Sequence, residues 1–185
     1  MIRCIPAFVL SLAVLASAAP LLRPSPDFVI HLTPSGEVSP AQYQGKVVVL
    51  AFILTTCPHC QRSTQMLSGL QREYGPRGLQ VMAAAFNEMA HMLVPDFIKQ
   101  FEPAFPVGYS NRQEVQAYLD HSEQLPLYVP ALVFIDRKGM IRYQYTGDDP
   151  FFQNQEKNVR ETIEQLLKEP QLLKEPVPMK KKKAS

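Results

Sequence analysis

Two cysteines separated by two residues are the side chains of this sequence best suited to covalent chemistry. They stand in the tetrapeptide Cys57-Pro58-His59-Cys60. A thiolate is the nucleophile of disulfide exchange, and a second cysteine one helical turn later can attack a mixed disulfide formed at the first. The spacing therefore predicts a redox-active pair in which Cys57 reacts first and Cys60 resolves the intermediate.

The tetrapeptide lies between a predicted buried strand and a predicted helix. Residues 46–54 form an apolar, β-branched run that is typical of a central strand. Residues 61–74 carry apolar side chains at helical spacing and end at Gly75-Pro76, a helix stop signal. Cys57 is thus expected at the N-terminus of the helix, where unpaired N–H groups and the helix dipole favour an anion such as a thiolate.

The other apolar runs of the chain alternate between strand and helix patterns. A strand, a helix and a second strand in succession imply a parallel pair joined by a right-handed crossover. Together these patterns predict an α/β domain. Further strands are predicted at residues 27–32, 37–38, 79–86, 105–109, 131–135 and 140–146, and further helices at 95–101, 110–120 and 154–167.

The first nineteen residues predict an export signal. Arg3 supplies a basic start, an apolar run follows, and Ala16-Ser17-Ala18 fits a cleavage site. An uncleaved membrane anchor is the alternative interpretation. We therefore expect an exported protein in the periplasm or another extracytoplasmic space, tethered to the membrane if the segment is retained. The predicted division is a signal peptide at 1–19, a linker at 20–26, a folded domain at 27–169 and a disordered Pro/Lys-rich tail at 170–185.

Composition limits the classes of function. The chain has 185 residues, 46% of them hydrophobic, and its net charge of +2 depends on the lysines at 180–183. A near-neutral domain gives no argument for nucleic-acid binding. Removal of the signal segment would leave Cys57 and Cys60 as the remaining cysteines, and a disulfide that closes so short a loop constrains the unfolded chain little. A reactive role is therefore favoured over a structural one.

Four stretches of the sequence resemble one known family. They are Pro26-Asp27-Phe28, residues 45–49, the Cys-Pro-His-Cys tetrapeptide and residues 129–136. This combination resembles the thioredoxin superfamily, and within it the exported TlpA/ResA-like branch that is grouped with redoxin domains. The resemblance implies a thioredoxin-like fold, with a central mixed β-sheet flanked by helices, an N-terminal β-hairpin and a helical insertion. It also implies that Pro130 is cis and packs beside Cys57, so that Val129 and Pro130 orient the partner chain.

Two departures from that family bear on the redox chemistry. Ala51 stands where thioredoxins have a buried carboxylate, so the proton acceptor for Cys60 is missing or comes from elsewhere. Glu88 is a candidate acceptor, or else a solvated residue at the start of a helix. The Pro58-His59 pair is that of DsbA-like oxidants. As a cation or a hydrogen-bond partner, His59 would favour the Cys57 thiolate, and a stabilised reduced form makes the disulfide more oxidising or isomerising.

These residues predict a thiol–disulfide oxidoreductase that exchanges disulfides with exported proteins. No metal or organic cofactor is needed. The expected partners are exported proteins that carry thiols or disulfides and a redox partner in the membrane or periplasm. The chain is expected to be a monomer. The predicted catalytic residues are Cys57, Pro58, His59, Cys60 and Pro130, and the predicted substrate-binding residue is Val129.

Two other functions would use the same cysteine pair. A Cu(I) metallochaperone would hold the metal with both thiolates and His91 or His121, because soft ligands select Cu(I). Both histidines also fit an ordinary surface or helix-cap position. A peroxiredoxin-like antioxidant would need a threonine at the position that Leu54 occupies. Grouping with peroxiredoxins would then reflect fold rather than mechanism.

Overall fold

The structure, a computed structural model, describes residues 21–170 of the chain. The predicted signal peptide and all but the first residue of the predicted tail lie outside this range. None of the helices in the described part is long and apolar enough to cross a membrane. The strands are β1 (Arg23–Pro24), β2 (Ile30–His31), β3 (Glu37–Val38), β4 (Val47–Ile53), β5 (Leu79–Ala85), β6 (Val107–Tyr109), β7 (Ala131–Ile135) and β8 (Met140–Tyr145), and the helices are α1 (Pro58–Tyr74), α2 (Ala90–Phe101), α3 (Arg112–Tyr118) and α4 (Gln155–Lys168).

These strands form one mixed sheet in the order β1-β8-β7-β4-β5-β6-β2-β3. Strand β4 lies near its centre, parallel to β5 and antiparallel to β7. Every residue of β4 is buried, which explains why its sequence is continuously apolar rather than alternating. The parallel β4–α1–β5 unit agrees with the sequence prediction, and β7 and β8 form an antiparallel pair at the two predicted strands.

Alternate residues of β4 contribute to two hydrophobic cores, because successive side chains of a strand point to opposite faces. Val47 and Val49 pack in the core that includes buried residues of α1, α2 and α4. Val48 and Leu50 pack in the core that includes α3 and the β2–β3 hairpin. Helices therefore cover both faces of the sheet, and the prediction of an α/β fold with a mixed sheet flanked by helices is confirmed.

Helix α2 begins five residues earlier than predicted. The sequence predicts a start near Pro95, since proline fits the first turn of a helix, but α2 begins at Ala90 and Pro95 lies inside it. A proline inside a helix lacks the N–H that bonds to the preceding turn, at a cost of about 3 kcal/mol. Ala90, Val94 and Phe97 share one face and are all buried, so packing against the sheet offsets this cost.

The segment predicted to be a linker contributes an edge strand to the sheet. Arg23 and Pro24 pair with Ile141 and Met140 of β8, and the Arg23 guanidinium donates to the carbonyl oxygen of Tyr118. An edge strand tolerates proline, because one side of its backbone is unpaired. The Pro-rich composition therefore favours a linker from sequence although the backbone joins the sheet.

The N-terminal hairpin forms as predicted, with a shorter first strand. The sequence predicts a strand over residues 27–32, and the structure has only Ile30–His31, paired antiparallel with Glu37–Val38. Strand β2 also joins the main sheet through a pairing of His31 with Tyr109 of β6. The neighbouring Gly108 allows this approach, because a Cβ at that position would clash with the carbonyl oxygen of His31.

Candidate active site

The turn between β4 and α1 places both cysteines at one end of the sheet. Helix α1 begins at Pro58, and Cys57 is its N-cap with extended backbone angles (φ −82°, ψ 119°), which agrees with the expected position of Cys57 at the helix N-terminus. Proline at the first helical position loses no intrahelical hydrogen bond and disfavours helical backbone in the residue before it. Cys57 is half-buried, whereas Cys60 is fully buried. The leading sulfur is therefore more accessible than the second.

Burial dominates the chemistry of Cys60. Removal from water raises the pKa of its thiol far above the ordinary value, and the neighbouring side chain of Cys57 acts in the same direction. A backbone hydrogen bond from Leu54 opposes this shift, since it stabilises the thiolate. Within residues 21–170 no carboxylate is among the main causes of the shift. Ala51 is buried in β4 and Glu88 is exposed, so neither position supplies an acceptor at this thiol.

His59 is exposed and is oriented by the next turn of α1. Its Nδ1 lies 3.0 Å from Nη2 of Arg62. A guanidinium only donates hydrogen bonds, so Nδ1 is the acceptor in this contact. Arg62 thus places a positive charge on the same turn as His59, and the role of His59 at Cys57 stays a prediction.

The peptide bond between Val129 and Pro130 is cis, as the resemblance implies. Pro130 is buried and directly precedes β7, whose first residue, Ala131, pairs with Phe52 near the end of β4. Because β4 and β7 are antiparallel, the beginning of β7 lies at the same end of the sheet as the turn that carries Cys57. The structure thus brings the cis-proline loop and the cysteine turn to the same end of the sheet.

Gly147 supports the cis-proline loop, a role that the sequence analysis missed. Its N–H donates to the carbonyl oxygen of Tyr128 (3.0 Å). A Cβ built on Gly147 would lie 2.7 Å from the carbonyl oxygen of Val129, too close for an ordinary contact. The turn after β8 therefore needs glycine to approach the loop. The available signal was a glycine directly after a predicted strand, which from sequence alone indicates only where the strand ends.

The turn before Cys57 is also fixed by side chains that the sequence analysis did not identify. The N–H and the hydroxyl of Thr55 both donate to Oδ1 of Asn87, at 3.0 and 3.3 Å. The side-chain amide of Gln61 donates to the carbonyl oxygen of Thr55 (3.0 Å). The N–H of Cys57 donates to the carbonyl oxygen of Leu54 (3.1 Å). Spacing in the sequence gives no signal for Asn87, which lies thirty-two residues from Thr55.

The structure does not group the cysteines with the histidines considered for copper. Within residues 21–170, no three His, Cys, Asp or Glu side chains are arranged to hold a metal ion. His91 lies beside Tyr109, with ring centroids 6.0 Å apart, at a cavity of about 620 Å³. The buried Nε2 of His121 has no hydrogen-bond partner in this part of the chain. The copper alternative therefore has no ligand set here.

Known proteins share this fold. The family model described as Redoxin matches residues 23–163. The thiol-disulfide oxidoreductase ResA of Bacillus thuringiensis subsp. konkukian is 25% identical over 126 residues, which cover 68% of this chain and 69% of that protein. A DsbE-type thiol:disulfide interchange protein from Chlorobium tepidum superposes with a TM-score of 0.63 and 22% identity, over 77% of this chain and 96% of that chain. A thioredoxin family protein from Chlorobium tepidum TLS superposes with a TM-score of 0.66 and 21% identity, over 82% of this chain and 99% of that chain.

The sheet, the helices and the cysteine pair define a thiol–disulfide oxidoreductase with a thioredoxin-like fold. The Redoxin model matches well over half of the sequence, and the chain belongs to the Redoxin family. The resemblance to its TlpA/ResA-like branch is confirmed. An enzyme of this class acts on proteins that contain thiols.

Proposed function

We propose that the protein exchanges disulfides with exported proteins through Cys57-Pro58-His59-Cys60. The observation that carries the proposal is the asymmetry of the pair. Cys57 is half-buried at the N-terminus of α1, and Cys60 is fully buried in the first turn of the same helix. An incoming disulfide has easier access to the first sulfur than to the second. This difference supports a leading role for Cys57 and a resolving role for Cys60.

The reaction with a partner disulfide has two steps. The Cys57 thiolate attacks one partner sulfur, an S–S bond forms between enzyme and partner, and the other partner sulfur leaves as a thiolate. Cys60 then loses its proton and attacks Sγ of Cys57. The enzyme disulfide forms, the remaining partner sulfur leaves as a thiolate, and two electrons have passed from enzyme to partner. The reverse sequence transfers the disulfide to a reduced partner.

The prolines of the site would hold the reactants in place. Pro58 starts α1 directly after Cys57, which keeps the leading sulfur at the N-terminus of the helix. The loop before β7 lies at the same end of the sheet as Cys57, and this position supports a role for Val129 in pairing its backbone with an extended segment of the partner. The close packing of Gly147 on Val129 supports a fixed position for this loop.

We expect an oxidising or isomerising potential, and equilibration with glutathione tests it. A polar His59 ring beside the leading sulfur would stabilise the reduced form, and in this couple about 30 mV corresponds to a tenfold change in the equilibrium constant. The protein should have a potential well above the value of about −270 mV typical of thioredoxin. His59→Leu should lower the potential by about 30 mV or more. A wild-type potential as low as that of thioredoxin would contradict the expectation.

The proposed location and clients can be tested in one trapping experiment. Residues 1–19 carry the pattern of an export signal, which supports an extracytoplasmic site and a redox partner in the membrane or periplasm. Cys60→Ser removes the resolving thiol, so mixed disulfides at Cys57 should accumulate with exported proteins and disappear on reduction. Cys57→Ser is the matched control and should trap little. Equal trapping by both variants, or clients confined to the cytoplasm, would refute the proposal.

A further inference from the structure

Thr55, buried two residues before Cys57, has its backbone groups paired with side chains from outside the turn. Its N–H and hydroxyl donate to Oδ1 of Asn87, and its carbonyl oxygen accepts from Gln61. Asn87 comes from the loop after β5 and Gln61 from the first turn of α1. The peptide that leads into the reactive cysteine is therefore held from two sides.

The orientation of the Asn87 amide follows from its partners. A carbonyl oxygen must face Thr55, because the N–H of Thr55 is a donor, and Nδ2 of Asn87 donates in turn to the carbonyl oxygen of Glu88 (3.0 Å). The residue before it, Phe86, donates its N–H to the carbonyl oxygen of Ile53 (3.1 Å). Asn87 is thus anchored to the end of β4 and holds the turn that follows that strand.

This turn also fixes the two cysteines relative to each other. The carbonyl oxygen of Leu54 accepts the N–H of Cys57 (3.1 Å), and Gln61, the residue after Cys60, donates its side-chain amide to the carbonyl oxygen of Thr55 (3.0 Å). Cys60 is fully buried and cannot move freely towards the other sulfur. The position of the turn therefore matters most when Cys60 must attack Sγ of Cys57.

We propose that Asn87 is a positioning residue for the resolving step. By accepting both donors of Thr55, it holds the Leu54–Thr55 peptide, which accepts the N–H of Cys57, and so keeps Sγ of Cys57 aligned with Cys60 while the new S–S bond forms and the partner thiolate leaves. The proton of Cys60 passes to solvent. The first attack, by Cys57 on an external disulfide, does not require this alignment. The inference rests on the proposed function. It predicts that the attack by Cys60 depends on the Asn87 side chain and that the attack by Cys57 does not.

A disulfide reagent that releases a coloured thiolate allows the rates of the two steps to be measured separately. Reduced protein mixed with an equimolar amount of dithiobis(nitrobenzoate) should release one aromatic thiolate when Cys57 attacks and a second when Cys60 displaces the bound one. Asn87→Leu removes the acceptor at similar volume. It should slow the second release roughly tenfold, because a buried N–H loses its partner, and leave the first within about twofold. Asn87→Asp keeps an acceptor oxygen and should restore the second release to at least the wild-type rate.

Two further variants keep the test decisive. Asn111 lines the same cavity as Asn87 and accepts the N–H of Glu114 as the cap of α3, so Asn111→Leu removes a similar contact away from the turn and should change neither release. Thr55→Val removes only the hydroxyl contact to Asn87 and should slow the second release by about twofold to threefold. This variant still tests the contact if Asn87→Leu does not fold.

The outcomes separate this inference from the proposed function. Unchanged second release in both Asn87→Leu and Thr55→Val would overturn it, as would equal slowing in Asn111→Leu. A wild-type protein that gives the first release but never the second would instead show that Cys60 does not resolve, and the proposed exchange reaction itself would fail.

Discussion

Cys57 and Cys60 carry the same chemical group in different surroundings. The half-buried sulfur at the helix N-terminus meets solvent, and the other lies in the hydrophobic core that β4 and α1 share. Burial raises the pKa of Cys60, and the backbone of Leu54 only partly opposes it. At neutral pH the second cysteine therefore stays a thiol until a mixed disulfide has formed beside it.

This raised pKa makes the stability of the reduced protein depend on pH. A thiol whose pKa is higher in the folded state contributes its full stability below the ordinary value of 9.0 and loses it as the pH rises above that value. The free energy of unfolding of the reduced protein should thus fall by about 1.4 kcal/mol per pH unit above this point. Urea unfolding at several pH values measures it.

Cys60→Ser is the control for that measurement. Burial also raises the pKa of Tyr118, to about 12, and that of Tyr145. Ionisation of these tyrosines in the unfolded protein therefore lowers the free energy of unfolding further at still higher pH. The serine variant keeps these tyrosines and lacks the thiol. Its stability should decline less steeply than that of the wild type just above pH 9.0. Identical slopes for the two proteins would contradict the assignment to Cys60.

The residues predicted from sequence and those that were missed differ in how their contacts arise. Cys57 and Cys60 follow from local spacing, and Pro130 from a motif that extends into a strand. Asn87 and Gly147 act on residues that lie close in space but far along the chain. No pattern of local periodicity reports such contacts, because they depend on how the loops at the end of the sheet meet.

At the scale of elements, two loops must meet for the cis-proline to stand at the site. The turn after β8 packs on the loop before β7, and Gly147 is the point of closest approach. Strands with strong apolar runs, such as β4 and β7, were predictable because burial on both faces leaves a clear signal. The start of α2 and the pairing of β1 were not predictable, because tertiary packing outweighed the usual preference of proline for helix starts and loops.

Gly147→Ala tests the contact between these loops. The added methyl group would collide with the backbone of Val129, so the cis-proline loop must shift. Misplacement of a substrate-orienting group by about 1 Å can cost a hundredfold in rate, and we expect disulfide exchange with a protein substrate to slow by about tenfold or more. Exchange kinetics with a reduced or oxidised protein partner give the measurement.

Gly69→Ala is the matched control for this substitution. Gly69 is exposed within α1, and apart from its two chain neighbours and the backbone of its own helix, a Cβ there would meet no atom of the described residues within 4 Å. Alanine has the higher helix propensity, so this variant should gain about 0.5–1 kcal/mol of stability and keep the wild-type exchange rate. If Gly147→Ala also exchanges at the wild-type rate, the supporting role of Gly147 is wrong.

On the scale of the whole molecule, one end of the sheet collects the groups of the proposed reaction. The turn after β4 carries the cysteines, the loop before β7 carries the cis-proline, and the loop after β5 carries Asn87. Helices cover both faces of the sheet and shield the second sulfur. The proposed reaction therefore requires that Cys57 of the folded protein is accessible to reagents and that Cys60 is not.

Brief alkylation of the reduced, folded protein tests this requirement directly. A short pulse of iodoacetamide at neutral pH, stopped with acid, leaves a label whose position peptide fragmentation by mass spectrometry can locate. We expect label on Cys57 with Cys60 unmodified in the folded protein, and label on both after denaturation. Labelling of Cys60 as fast as Cys57, or before it, in the folded protein would show that Cys57 is not the leading sulfur.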